Sequence, residues 1–281
     1  MRPVSARSST VTARPCPSKR PPSTTSAEAE GPTVCIPPTD DRRIIVTIDQ
    51  RVRALITDTR ERVSELHAQL PFWGLVVWTA GNVSERVVVD PSGSPGDEDL
   101  LVIKPSGVRY DELSGDMMVV CDLEGNLVEE LSTGGLTPSS DTAAHAYVYR
   151  NMPQVGGVVH THSTYATAWA ARGEEIPCVL TMMADEFGGP VPVGPFAIIG
   201  DDSIGRGIVE TLSDSRSPAV LMRNHGPFTI GATGAEAVKA AVMVEEVAKT
   251  VHVSRQLGEP LPIEAATIDR LYDRYQNVYG Q

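Results

Sequence analysis

Residues 156–163 read GGVVHTHS, and the reading of this stretch organises the rest of the chain. Two glycines and two β-branched residues, followed by His160, predict a short buried strand over 156–161. Residues two apart in a strand share a face. His160 and His162 are therefore expected side by side where the strand ends. Immediately downstream, 164–172 has the pattern of a short helix that Gly173 stops. Upstream, Ser139, Ser140 and Asp141 precede an Ala-rich run ending near Asn151, which places the three at a helix start.

Moving outward, the elements alternate between types. Residues 46–70 carry Ile48, Val52, Leu55, Ile56, Val63 and Leu66 at helical spacing. Residues 86–90 and 100–103 read as strands around a Gly/Pro/Asp turn at 91–98. Residues 117–122 and 127–130 flank Glu124-Gly125-Asn126 and read as a hairpin. Residues 219–223 and 227–231 read as two strands about Asn224-His225-Gly226. A long helix is expected over 234–257, stopped by Gly258 and Pro260, and a last one over 263–276. Hairpins mixed with helices predict an α/β fold with a largely antiparallel central sheet flanked by helices.

The first forty residues differ in kind, with eight Pro and twelve Ser or Thr. Such a stretch buries too little apolar surface to offset its ordering entropy. It reads as a disordered extension over 1–40, followed by one domain over 41–281. An Arg- and Ser-rich targeting peptide is the rival reading; eight prolines and the lack of an apolar core segment count against it. The whole chain of 281 residues carries a net charge of −12, with an isoelectric point near 4.9. Without the extension's five basic and three acidic residues, the body has 19 basic against 33 acidic, or −14. That balance excludes a general nucleic-acid binder, which needs a basic footprint. No apolar run approaches the roughly 18 residues of a membrane span. Cys16, Cys35, Cys121 and Cys178 are scattered without a C-x-x-C, which suits a reducing, cytoplasmic compartment.

Paired imidazoles at a strand end are an efficient beginning for a metal site, because zinc favours histidine nitrogen and carboxylate oxygen. His225, in a tight turn between two strands, is a third candidate. His67, His145 and His252 sit within helix patterns and read as structural or surface residues. Two segments resemble anion cradles: Gly81-Asn82-Val83-Ser84 and Lys104-Pro105-Ser106-Gly107. Ser139 and Ser140 add hydroxyls and free N–H groups at a helix start. Each segment taken alone is equally ordinary turn chemistry.

Taken in order, AGNVS, IKPSGV, TPSSDTAAH, GGVVHTHSTYATAWA, IPCVLTMMADEFGG, MRNHGPFTIG and the terminal VYGQ resemble the class II aldolase/adducin-head family over about residues 50–281. The match is with its ribulose-phosphate 4-epimerase branch. The resemblance implies one Zn2+ per chain, held by His160, His162, His225 and Asp141. It implies phosphate binding by Gly81, Asn82, Ser106, Gly107, Ser139 and Ser140, with Thr181 at another active-site position. It assigns acid/base roles to Asp185 and Tyr279. It further implies a phosphorylated ketose substrate and a homotetramer with active sites at subunit interfaces. This chain departs from the epimerase pattern at Met183 and Leu271, where that branch carries histidines, and is about three residues shorter before VYGQ. Two alternatives follow from the same family: a zinc-dependent aldolase or lyase on another ketose phosphate such as fuculose 1-phosphate, and a non-catalytic binding protein like the adducin head.

Overall fold

The stretch Gly157–His160 forms one strand, β4, of a sheet seen in a computed structural model that describes residues 49–278. The extension over 1–40, Cys16, Cys35, Ile48 and Tyr279 lie outside the described residues. The other strands are β1 (Asn82–Val87), β2 (Leu100–Ile103), β3 (Val119–Asp122), β5 (Val193–Gly194), β6 (Ala219–Met222) and β7 (Gly226–Gly231). They assemble in the order β3-β2-β1-β4-β7-β6-β5. Every pairing is antiparallel except that of the two-residue β5 with β6. The predicted α/β fold with a largely antiparallel central sheet is the one observed.

Helices cover both faces of the sheet: α1 (Gln50–Phe72), α2 (Thr142–Asn151), α3 (Thr164–Arg172), α4 (Thr181–Phe187), α5 (Ser203–Leu212), α6 (Gly234–Leu257) and α7 (Ala265–Asn277). The alternation within each strand explains the layering. Leu101, Ile103, Val158 and Phe228 face α2 and α5, and pack with Ala144, Tyr149, Ile204 and Ile208. Leu100 and Val102 point the other way, onto Val52, Ile56 and Val63 of α1. Val159 also faces that side, against Leu66, Ala237 and Ala241. Each fully buried aliphatic side chain contributes about 1.5–3 kcal/mol, so the parity of β4 is strongly held. His160, two residues after Val158, consequently belongs to the α2 side of the sheet.

Several boundaries differ from the sequence reading, each for a physical reason. α1 begins at Gln50, because the Asp49 carboxylate accepts the Val52 N–H at 2.8 Å and caps it. Leu55 is 36% exposed, off the buried stripe of Val52, Ile56, Val63, Leu66 and Leu70. The strand expected at 86–90 is Asn82–Val87, so Asn82 and Ser84 are strand residues and not part of a loop. Asp99 ends it by accepting from the Arg86 guanidinium at 3.1 Å and from the Val89 and Gly96 amides at 3.0 Å. The expected second arm at 127–130 is reduced to a single bridge between Cys121 and Leu127, followed by a 3-10 turn at Glu129–Leu131. The turn itself is present: Asp122 accepts the Glu124 and Asn126 N–H groups. α5 escaped the sequence reading because Gly205 and Gly207 dilute its helix signal. Gly205 is required by packing, since a Cβ there would lie 2.5 Å from the Ala144 carbonyl on α2.

Candidate metal centre

β4 ends at His160, and the strands beside it deliver the rest of the centre. Asn82 of β1 is the register partner of His160 on one side and Phe228 of β7 on the other. The β6–β7 turn carries His225. Asn224 adopts a positive φ of 58° there, which asparagine tolerates better than most residues. His162 follows the strand end, and its loop is pinned by Glu245 of α6, whose carboxylate accepts the first N–H groups of α3, from Tyr165 and Ala166, at 2.9 Å.

The three imidazoles converge. Their ligand nitrogens all lie within 4.8 Å of one another, and Nε2 of His160 is 3.0 Å from Nε2 of His162. His160 is buried, His225 half-buried and His162 exposed, so the cluster opens to solvent on one side. His160 Nδ1 lies 3.0 Å from the Pro227 carbonyl. A carbonyl only accepts, so Nδ1 carries the hydrogen and Nε2 presents its lone pair to the cluster. Phe228 stacks on the same ring at 4.0 Å and 13°. Burial, followed by the neighbouring His225 and His162, drives the His160 pKa far down. Burial likewise lowers His162 and His225, with Asp141 opposing. Neutral imidazoles with converging lone pairs are the donor set a divalent cation requires.

Asp141 is the N-cap residue of α2 and stands beside this group, not within it. It is 5% exposed. Its Oδ2 accepts from Asn82 Nδ2 at 2.7 Å, while Oδ1 is buried with no hydrogen-bond partner. An orphaned carboxylate oxygen beside three neutral imidazoles fits a cation, whose charge would satisfy it.

A cavity of about 220 Å³ joins the imidazoles to both cradle segments. Its walls include Gly81, Asn82, Ser106, Gly107, Ser139, Ser140, Asp141, His160, His162 and His225, so the structure gathers every predicted metal and phosphate residue in one place. Gly81 sits there with φ +80°, and a Cβ would lie 2.8 Å from the His160 carbonyl. Lys104 also lines the cavity, 2% exposed, with its ammonium 3.2 Å from the Pro105 carbonyl and over the Tyr110 ring. No carboxylate pairs with it among the described residues, and burial lowers its pKa to about 8.

Asp185 is not part of this cavity. It lies on α4, which packs against α7. Its Oδ1 is buried without a partner, and burial, then Glu186, raises its pKa against the pull of Arg274. Tyr279 lies outside the described residues. The sequence reading missed Thr79, Ala80 and Ile199 as cavity walls; nothing in their local pattern marks them. It took His67 and His145 as structural or surface residues, and both are completely buried.

Residues 61–252 match the family described as Class II Aldolase and Adducin N-terminal domain. The chain belongs to that family. Among curated relatives, L-ribulose-5-phosphate 4-epimerase UlaF of Salmonella paratyphi C (strain RKS4594) is 39% identical over 235 residues, covering 79% of this chain and 98% of that protein. Among solved structures, an L-fuculose 1-phosphate aldolase superposes with a TM-score of 0.68 at 26% identity, covering 78% of this chain and 96% of that one. A putative aldolase/epimerase/decarboxylase, YgbL from Klebsiella pneumoniae, gives 0.61 at 28% identity, with 77% and 98% covered. In this class II aldolase-family chain, the three-histidine cluster is a site capable of holding a divalent metal. Among the described residues, no helix is long and apolar enough to cross a membrane.

Proposed function

We propose that this protein is a zinc-dependent sugar-phosphate enzyme that interconverts L-ribulose 5-phosphate and D-xylulose 5-phosphate by breaking and re-forming the C3–C4 bond. The observation that carries this reading is the single cavity in which three neutral imidazoles and the orphaned Asp141 oxygen adjoin the Ser106–Gly107 and Ser139–Ser140 cradles. The 39% identity to a 4-epimerase across nearly all of that enzyme supports this reaction within the family.

His160, His162, His225 and Asp141 would hold one Zn2+. When bound, the cation supplies electrostatic stabilisation of the charge that develops on the ketose carbonyl oxygen as the bond breaks. Ser106 and Ser140 hold the phosphate through neutral donors, with the Lys104 ammonium adding charge from the cavity wall; the Asn82 amide, which donates to Asp141 and Ser139, would join them by giving up Ser139. Asp185 and Tyr279 exchange protons on opposite faces of the aldehyde fragment. Asp185 stands apart from the cavity of its own chain, which supports a homotetramer whose sites draw these two residues from a neighbouring subunit. In such a site, glycolaldehyde phosphate stays bound, turns, and is re-attacked on its other face.

Met183 and Leu271 replace histidines of the epimerase pattern, and this observation favours a second reading, a lyase that releases its fragments. One experiment separates the two. Zinc-loaded protein is given L-ribulose 5-phosphate and the products are resolved by stereochemistry. D-xylulose 5-phosphate is the expected product. Free dihydroxyacetone and glycolaldehyde phosphate would replace the epimerase reading with the lyase. No turnover of pentulose or hexulose phosphates would remove both.

A further inference from the structure

Behind the cavity lies a buried polar chain to which the reaction gives no role. Ser84 Oγ is 2.7 Å from His145 Nδ1 and 2.8 Å from the Tyr149 hydroxyl. All three residues are at most 1% exposed. Ser84 faces α2, which carries His145 and Tyr149, because it is two residues after Asn82 on the same face of β1.

The direction of this chain follows from counting hydrogens. Each hydroxyl has one hydrogen to give. If His145 Nδ1 donated to Ser84, and Ser84 to Tyr149, the phenolic hydrogen would need another acceptor. Among the described residues the phenol has no acceptor but Ser84: of the other groups acting on it, the Val158 amide is a donor, and the Glu85 carboxylate and the Arg86 guanidinium act through charge and not through a hydrogen bond. A buried hydroxyl without an acceptor costs about 1–3 kcal/mol; the opposite direction moves the spare hydrogen to His145 Nε2, one turn from an acceptor that lacks a donor, and is favoured for that reason. The opposite direction uses both hydroxyl hydrogens: Tyr149 donates to Ser84, and Ser84 donates to His145 Nδ1. His145 is then the tautomer with its hydrogen on Nε2.

That leaves one buried donor, His145 Nε2–H, with no acceptor. One turn earlier on the same helix stands a buried acceptor with no donor, Asp141 Oδ1. The two residues are linked by the first helical hydrogen bond, from the His145 N–H to the Asp141 carbonyl. Side chains four apart on a helix share a face, and the Asp141 charge acts on the His145 ring. Asn82 already occupies Oδ2. Oδ1 has two lone pairs, enough for a cation and one donor.

We infer that the Tyr149–Ser84–His145 chain is a positioning device for the Asp141 carboxylate: it fixes the His145 tautomer and presents Nε2–H to Oδ1 through one bridging water, so that the carboxylate is aimed at the metal. The inference rests on the proposed role of Asp141 as a zinc ligand. His145 touches neither substrate nor metal and acts only through Asp141.

The test measures zinc affinity of the full chain by competition with a chromophoric chelator, so no turnover is needed. His145→Leu should weaken zinc binding about 10–100-fold, the usual consequence of losing a partner behind a metal ligand. His145→Gln, whose amide nitrogen falls near the position of Nε2, should recover most of that loss. Asp141→Asn combined with His145→Leu should bind zinc no more weakly than Asp141→Asn alone. Tyr149→Phe, which keeps the packing and removes the orienting hydrogen, should weaken zinc by about tenfold; it carries the test if metal-free His145→Leu lacks a cooperative melting transition. Wild-type zinc affinity in folded His145→Leu and in Tyr149→Phe would overturn the inference, as would additive losses in the double variant. An unchanged zinc affinity in Asp141→Asn, with His160→Asn still impaired, would instead withdraw Asp141 from the ligand set.

Discussion

His67 offers a quantitative check on the packing between α1 and the strand that leads into the centre. Its ring is completely buried and both nitrogens are committed. Nδ1–H donates to the Val63 carbonyl at 2.6 Å, and Nε2 accepts the Val83 N–H at 2.9 Å. A proton on Nε2 would break the second bond and leave a charge in an apolar layer. Burial accordingly lowers the pKa from 6.5 to about 3. In the unfolded chain the ring titrates near 6.5. The unfolded state therefore binds one more proton between these values, and stability is lost as pH falls from about 6.5 towards 3. The slope is about 1.4 kcal/mol per pH unit, which integrates to about 2 kcal/mol by pH 5. His67→Gln removes the titration. Urea unfolding of wild type and His67→Gln, at one protein concentration and at pH 7 and about pH 5, isolates the effect, because other titrating groups cancel in the difference. The variant should be less stable at pH 7, and its deficit should shrink by about 2 kcal/mol at pH 5. A deficit that stays constant across this window would refute the account of His67 as a buried neutral ring.

Gly81→Ala places a Cβ 2.7 Å from Val76 Cγ1 and 2.8 Å from the His160 carbonyl at a positive φ. A strain of about 1–3 kcal/mol is expected, seen as a lower Tm together with weaker zinc binding in a chelator titration. Lys104→Met should raise KM for the phosphorylated ketose more than for its unphosphorylated analogue, and kcat should change little. With its pKa near 8, the wild-type KM should rise above that pH and the variant's should not. Ser140→Ala should show the same selectivity for the phosphorylated ketose in steady-state assays. Removing the metal with a chelator should abolish turnover and Zn2+ should restore it. Mixed tetramers of His160→Asn and Asp185→Asn chains should regain part of the activity that neither has alone, as composite sites require.

What the sequence exposed and what it concealed divide along the range of the interactions. The end of β4, the start of α2 at Asp141, the stop at Gly173 and the turn at Asn224 are all set by neighbours within a few residues. Each could be read from its own segment. The glycines of α5 are there because α2 passes close by, so the local pattern misled. Asn82 and Ser84 looked like loop residues because Gly81 precedes them, yet the ladder with Val158 and His160 makes them strand. The burial of Lys104 without a carboxylate among the described residues, the absence of Asp185 from the cavity wall, and the orphaned atoms of Asp141 and His145 depend on which elements lie side by side. No local signal carries them. The i, i+4 spacing of Asp141 and His145 is the one trace of their relation in the sequence, and it becomes informative only once Asp141 is a candidate ligand.

The register explains how the imidazole cluster is held independently of Asp185. Asn82, His160 and Phe228 occupy one rung across β1, β4 and β7. On that rung, Asn82 reaches Asp141 and Ser139, His160 reaches the metal cluster, and Phe228 stacks behind His160. A slip of one residue in β4 would turn His160 towards α6 and move Val159 to the opposite face. The imidazole cluster and the adjoining cradle segments are thus fixed by the same burial that fixes the sheet. Asp185, proposed to move protons, is not on this rung: it sits on α4, which packs against α7, and its proposed partner Tyr279 lies outside the described residues. Under the proposed function, a site built this way would keep its cation and its phosphate while Asp185 on α4 and Tyr279 decide whether the aldehyde fragment is held and turned or released. Substitutions such as Met183 and Leu271 fall on those two helices, so their effect is expected on the partition between epimer and free fragments, not on zinc content.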